Sequence, residues 1–225
     1  MIEVKNLHKK YANTEVLKGI SLEFKSGEIV GVVGENGAGK TTFFKCLTGL
    51  ENFEGEINYN SGILKNEIGF LSSEPYFLSK ITGKEYLQLL CTARGINIKD
   101  FEEKNIFDLP LNKYAENYST GMKKKLALTA TLLQNNNIFI FDEPFNGVDI
   151  QSNVLIKEVL LKLKSLNKIV ILSSHIFSTL TETCDKLYHL KNGVIINSAT
   201  KENFATIEES MKEQTLSKKI DSLFN

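Results

Sequence analysis

The chain has 225 residues, 42% of them hydrophobic, enough to bury a substantial core in one large domain or two small ones. Basic and acidic residues balance at 27 each and the pI is near 6.8, so no global field draws the protein onto DNA, RNA or an anionic membrane. No run approaches the ~18 apolar residues of a membrane span, and the first residues lack a basic region followed by a long apolar core. Cys46, Cys91 and Cys184 are odd in number and far apart, which suits neither a disulfide framework nor a metal pair. These features predict a compact cytoplasmic protein with reduced, packed cysteines.

Strand-like runs at 2–5 and 16–24 open the chain and read as an antiparallel layer. A third apolar run, 29–33, leads directly into Gly34-Glu35-Asn36-Gly37-Ala38-Gly39-Lys40-Thr41, which fits G-x-x-x-x-G-K-[ST], the loop that cradles nucleotide phosphates. From Thr42 the sequence reads as a helix ending at Gly49, so the strand–loop–helix context of the motif is complete. Glycines at 34, 37 and 39 let successive N–H groups point inward, and the helix N-terminus adds positive potential. Lys40 is placed to reach the β- and γ-phosphates, and the Thr41 hydroxyl to ligate Mg²⁺. The protein is therefore expected to bind ATP or GTP.

Further strand-like runs follow at 56–59, 67–71, 138–141 and 169–172, with a late hairpin at 186–196 around Lys191-Asn192-Gly193. Helical spacing appears at 84–93, 119–134, 149–163 and 177–184. Alternating β and α with near-continuous apolar strands predicts an α/β fold with a mainly parallel sheet covered by helices. The run Ile138-Phe139-Ile140-Phe141 ends in Asp142-Glu143-Pro144, two carboxylates emerging at the carboxyl end of a buried strand. Ligands bind at that end of open α/β sheets, so Asp142 can hold Mg²⁺ near the phosphates while Glu143 orients a water for in-line attack. Alone, an Asp-Glu pair is more often a solvated acidic turn; beside a phosphate loop the catalytic reading is preferred.

Tyr118-Ser119-Thr120-Gly121-Met122-Lys123-Lys124-Lys125, just upstream of the Asp142-Glu143 strand, resembles the signature of ATP-binding-cassette proteins. Tyr11 resembles the aromatic that stacks on adenine in that family, Phe145-Asn146-Gly147-Val148-Asp149 resembles its D-loop, and Ser173-Ser174-His175 stands where its switch histidine belongs. Taken singly these signals are weak: Tyr11 reads as a packing aromatic, His175 as a hydrogen-bonded strand end, Asp149 and Ser119 as helix N-caps. Their joint order, from about residue 2 to about 200, carries the resemblance.

The resemblance implies a P-loop NTPase with an N-terminal antiparallel layer and an inserted helical subdomain at about residues 74–135, within a single ATP-binding domain at 1–225. It implies an ATP-hydrolysing transporter subunit bound to the cytoplasmic face of a membrane through an integral membrane permease, and paired head to tail with a second ATP-binding subunit. Gly34, Glu35, Asn36, Gly37, Ala38, Gly39, Lys40, Thr41 and Thr42 would hold ATP in one subunit, while Ser119 and Gly121 of the other close over it. His175 would contact the γ-phosphate. Residues 74–118 occupy the place that docks on the membrane partner, with Tyr76, Phe77, Leu78, Tyr86 and Leu87 as docking candidates, although core packing explains any one of them equally well. One departure stands out: Ser73 or its neighbour occupies the position where the family has a glutamine that contacts Mg²⁺ and the attacking water. The form Tyr-Ser-x-Gly-Met and the short stretch after His175 favour an export-type system over an importer. An alternative is a soluble cassette ATPase acting on DNA or ribosomes, but no long coiled-coil insertion, second cassette or basic surface is visible, and no nucleic-acid partner is expected.

Overall fold

In a computed structural model, described here over residues 1–212, nine strands form two sheets. The first is antiparallel, in the order β2-β1-β4, from Ile2–Tyr11 (β1), Thr14–Phe24 (β2) and Glu54–Tyr59 (β4). The second has six strands in the order β5-β6-β7-β3-β8-β9. These are Ile29–Val33 (β3), Ile68–Leu71 (β5), Ile138–Phe141 (β6), Ile169–Ser174 (β7), Lys186–Lys191 (β8) and Val194–Thr200 (β9). All its pairings are parallel except β8–β9, the expected hairpin, which turns at Asn192-Gly193 with φ of 50° and 83°. The expected architecture of a mainly parallel sheet and an antiparallel layer is therefore observed.

The central strands are apolar throughout because both of their faces are covered. Along β6, Phe139 and Phe141 enter one core while Ile138 and Ile140 enter the other. Along β7, Val170 and Leu172 part from Ile169 and Ile171 in the same period-two alternation. The first core is closed by Gly83–Ala93 (α3), Thr120–Leu133 (α4), Ile150–Ser165 (α5), Phe177–Thr183 (α6) and Phe204–Lys212 (α7). The second contains Phe43, Phe44, Cys46 and Leu47 of Lys40–Leu47 (α1) together with Ile2, Val4, Leu22 and Phe24 of the antiparallel sheet. Helix α1 thus contributes to the same apolar layer as both sheets. Each fully buried Phe or Ile contributes about 1.5–3 kcal/mol of transfer free energy.

Several details differ from the sequence reading. Strand β1 runs on to Tyr11, where polar Lys9 and Lys10 broke the apolar pattern. A short helix, Leu64–Glu67 (α2), takes the residue expected to open β5. Residues 74–118 hold one regular helix, α3, and two single 3₁₀ turns, while α4 packs against both α3 and β5. All three cysteines are buried and unpaired, and burial pushes the Cys46 thiol up to about 11 and Cys184 to about 12. Among the described residues no helix is long and apolar enough to cross a membrane.

Candidate functional site

Strand order decides where the polar residues meet. Strands β6, β7 and β3 are neighbours and run parallel, so their carboxyl ends emerge side by side. The phosphate loop after β3, Asp142-Glu143 after β6 and Ser174-His175 at the end of β7 therefore share one edge, with Ser73 following β5 beside them. A cleft of about 550 Å³ opens there. Asn36, Gly37, Gly39, Lys40, Thr41 and Thr42 line it from the loop, and Ser73, Asp142, Glu143 and His175 from the other strand ends. Val16 and Asn146 also line it; Asn146 had been placed only in the D-loop-like run, with no contact in the cleft, and an isolated valine carries no motif.

The loop is shaped by its glycines for two different reasons. Gly37 and Gly39 take φ of 83° and 110°, whereas a Cβ at Gly34 would meet the Leu190 carbonyl at 2.2 Å. The β8–β9 turn presses on the loop from the far end of the chain: Gly193 N–H donates to the Ala38 carbonyl at 3.1 Å and Lys18 N–H donates to the Gly193 carbonyl at 2.9 Å. Lys40 is 7% exposed, and its ammonium donates to the carbonyls of Gly34 at 2.7 Å and Glu35 at 3.2 Å. Burial lowers its pKa, against the pull of Glu143 and then Asp142, whose carboxylates favour the charged form. Lys40 is thus part of the loop's own framework as well as a cation facing the cleft, a packing role the sequence did not disclose.

Asp142 is fully buried. Its Oδ2 accepts from the Thr41 hydroxyl at 2.6 Å and its Oδ1 from the Ser173 hydroxyl at 2.6 Å. Ser173 Oγ in turn accepts from the Glu143 backbone N–H at 2.9 Å. Glu143 has φ of 53°, a left-handed conformation costing a non-glycine residue about 1–3 kcal/mol. Its Oε2 accepts from His175 Nδ1 at 2.8 Å and Oε1 lies 3.9 Å from Lys40 Nζ. Its carbonyl accepts from the Lys124 ammonium at 2.8 Å. Sequence reading singled out neither Ser173 nor Lys124 for the site, since a strand serine and a helix lysine have no distinguishing pattern.

Six of the expected nucleotide contacts, Tyr11, Gly34, Glu35, Ala38, Ser119 and Gly121, do not line this cleft. Tyr11 lies at the end of β1, 40% exposed, with the Lys9 ammonium 4.8 Å from its ring centroid. Burial, then donation to the Glu51 carboxylate, pushes its phenol up. Ser119 is the N-cap of α4, its Oγ accepting from Met122 N–H at 3.2 Å, and Gly121 stands in the first turn of that helix. Gly34, Glu35 and Ala38 shape the loop from behind, outside the lining.

The donor set suits a divalent magnesium ion. Thr41 and Asp142 bring two hard oxygens together beside the phosphate loop, while no cluster of three His, Cys, Asp or Glu exists among the described residues. That is the pattern of a cation held by one or two protein oxygens plus substrate phosphates, rather than by an all-protein cage.

This geometry defines a phosphate-loop nucleotide-binding protein. Residues 17–146 match the ABC transporter family model. The chain is 33% identical to the bacitracin transport ATP-binding protein BcrA of Enterococcus faecalis, over 98% of this chain and 77% of that one. It is 30% identical to the ABC transporter ATP-binding protein NatA of Bacillus subtilis, over 87% of this chain and 86% of that one. A solved ATP-binding subunit of an ABC transporter superposes with a TM-score of 0.80 at 27% identity, covering 100% of this chain and 98% of the other. The chain belongs to the ABC transporter family, as one of its ATP-binding, ATP-hydrolysing subunits.

Proposed function

We propose that this subunit drives export through a separate integral membrane protein, on whose cytoplasmic face it works as one of a head-to-tail pair. The observation that carries the mechanism is the meeting of Lys40, Thr41, Asp142 and Glu143 in one cleft. Lys40 has three N–H donors, two engaged by loop carbonyls, and it turns the third with its charge toward the β- and γ-phosphates. Thr41 and Asp142 would hold Mg²⁺, which would supply charge neutralisation at the phosphates. Glu143 takes a proton from the attacking water, and His175, paired with that carboxylate, stands at the γ-phosphate side of the cleft. Ser73 lines the same wall, and serine is shorter than glutamine by two heavy-atom links, so its contact with metal or water needs a bridging water or a closer backbone.

The pairing reading rests on Ser119 and Gly121 lying outside the cleft of their own chain, at a helix N-terminus suited to a phosphate. Tyr11, whose hydroxyl reaches Glu51 and Thr42, remains the proposed adenine platform at the loop's edge. The segment 74–118, with Tyr76 79% exposed, is the proposed contact with the membrane subunit. A transport role is supported by similarity to BcrA and to the lantibiotic transport ATP-binding protein SrtF of Streptococcus pyogenes, and the export direction by the Tyr-Ser-x-Gly-Met form of the signature. Relatives named for transport favour this reading over one in which the cassette serves DNA or ribosomes.

Glu143→Gln tests the reading. Loss of a positioned base costs about 10²–10⁴ in rate, so turnover falls by that factor while ATP binding persists and a closed dimer accumulates with Mg-ATP. Steady-state hydrolysis and light scattering read the two effects. Turnover equal to the parent's removes Glu143 from the role of base, and a persistent monomer rejects the pairing.

A further inference from the structure

Lys124 is a buried cation that the proposed mechanism does not use. It is 3% exposed, and its one short hydrogen bond runs 2.8 Å to the backbone carbonyl of Glu143. That carbonyl follows the φ of 53°, the one strained backbone position at the mouth of the cleft. The rest of the restraint comes from the other side of the same residue, where Ser173 Oγ accepts from the Glu143 N–H and His175 Nδ1 donates to the carboxylate. Lys124 and Ser173 therefore grip the peptide groups flanking one α-carbon from opposite elements, α4 and β7. Burying an ammonium costs several kcal/mol unless it is well bonded, and here burial does lower its pKa, with Glu143, Asp142 and Glu74 opposing. A simple packing role needs only an apolar side chain there, which would avoid that cost.

We infer that Lys124 is a positioning residue for hydrolysis: it holds the Glu143 backbone in its left-handed conformation, so that the carboxylate faces the water attacking the γ-phosphate. The inference rests on Glu143 being the base. It also gives α4 two duties, since the helix that carries Lys124 begins at Ser119, the residue proposed to meet the partner's nucleotide. Movement of that helix is thereby delivered to the catalytic glutamate of the same chain.

A misplacement of about 1 Å can cost on the order of 10²-fold in rate. Lys124→Met keeps length and volume but loses the donor, so kcat falls by roughly 10- to 100-fold while KM for Mg-ATP stays within about twofold. Lys124→Gln, whose amide still donates, recovers a large part of that loss. In a Glu143→Gln background, Lys124→Met lowers the residual rate by less than about twofold, because residues acting as one unit are not additive. The measurements are steady-state hydrolysis, ATP affinity and thermal midpoint on the full chain. A Lys124→Met enzyme with the parent's kcat overturns the inference. So does a variant pair, Met and Gln alike, that loses kcat, affinity and thermal midpoint together, or a full additional loss in the Glu143→Gln background. If Glu143→Gln itself turns over normally, the fault lies in the assignment of the base and not in Lys124.

Discussion

Single residues hold the geometry of this site, and some act through contacts their motif does not advertise. Gly121 sits in a signature read as leaving backbone N–H groups open to phosphate, yet it also has a neighbour within its own chain: a Cβ there would lie 2.5 Å from the Gly147 carbonyl, in the loop that leads to Asp149. Gly121→Ala therefore forces that loop to move. Overpacking costs about 1–3 kcal/mol, and because the Gly147 loop is exposed the expected loss is near the lower end, about 1 kcal/mol. Urea unfolding without nucleotide measures it; an unchanged midpoint shows that the close approach to Gly147 contributes nothing to stability. The sequence made Lys40, Thr41, Asp142 and Glu143 legible because their motif spacing is dictated by phosphate and metal chemistry. It could not show Lys124 or Ser173, whose part depends on which strand lies beside which.

Elements record their own ends more faithfully than their tertiary roles. Asp149 was readable as an N-cap, and it does cap α5, its carboxylate accepting from Ser152 N–H at 2.9 Å. Helix α3 has a full capping box, with Thr82 Oγ1 accepting from Glu85 N–H and Glu85 accepting from Thr82 N–H. That Thr-x-x-Glu pattern was present in the sequence, and it places the helix start one residue earlier than periodicity alone did. The Asp149 carboxyl is held well below its ordinary value of 3.8, first by the Ser152 backbone N–H, then by the Ser152 hydroxyl and Lys125. A carboxyl depressed on folding stabilises the native state above its unfolded pKa and loses that stabilisation as the pH falls through the folded value. Asn caps helices about as well as Asp, so Asp149→Asn isolates the charge. The stability gap between parent and variant is expected to be full at neutral pH and to close as the pH falls well below 3.8. Chemical denaturation across that range reads it, and a gap independent of pH shows that the charge contributes nothing. The apolar strands were legible because burial on both faces removes the usual alternation, whereas the 3₁₀ turns of residues 74–118 have no period to detect.

At the scale of the whole molecule, the feature that joins the two ends of the chain is the contact of the β8–β9 turn with the phosphate loop. Gly193 bonds to both Ala38 and Lys18, and the Leu190 carbonyl packs where a side chain at Gly34 would be. The order of motifs along the sequence gave the fold class and the transporter reading, but it could not show that the loop leans on a hairpin so far downstream. Every residue assigned to the cleft has left the ribosome by His175, yet the hairpin that buttresses the loop is made afterwards. Contacts between distant parts of a chain form slowly, and a nascent chain folds from its N-terminal side. Nucleotide competence is thus expected late in the life of each molecule, with a chain that lacks the hairpin displaying the ATP motif but binding ATP weakly. Pulse-labelled hydrogen exchange during refolding should find the amide of Gly193, which donates to Ala38, protected after those of β3, β6 and β7.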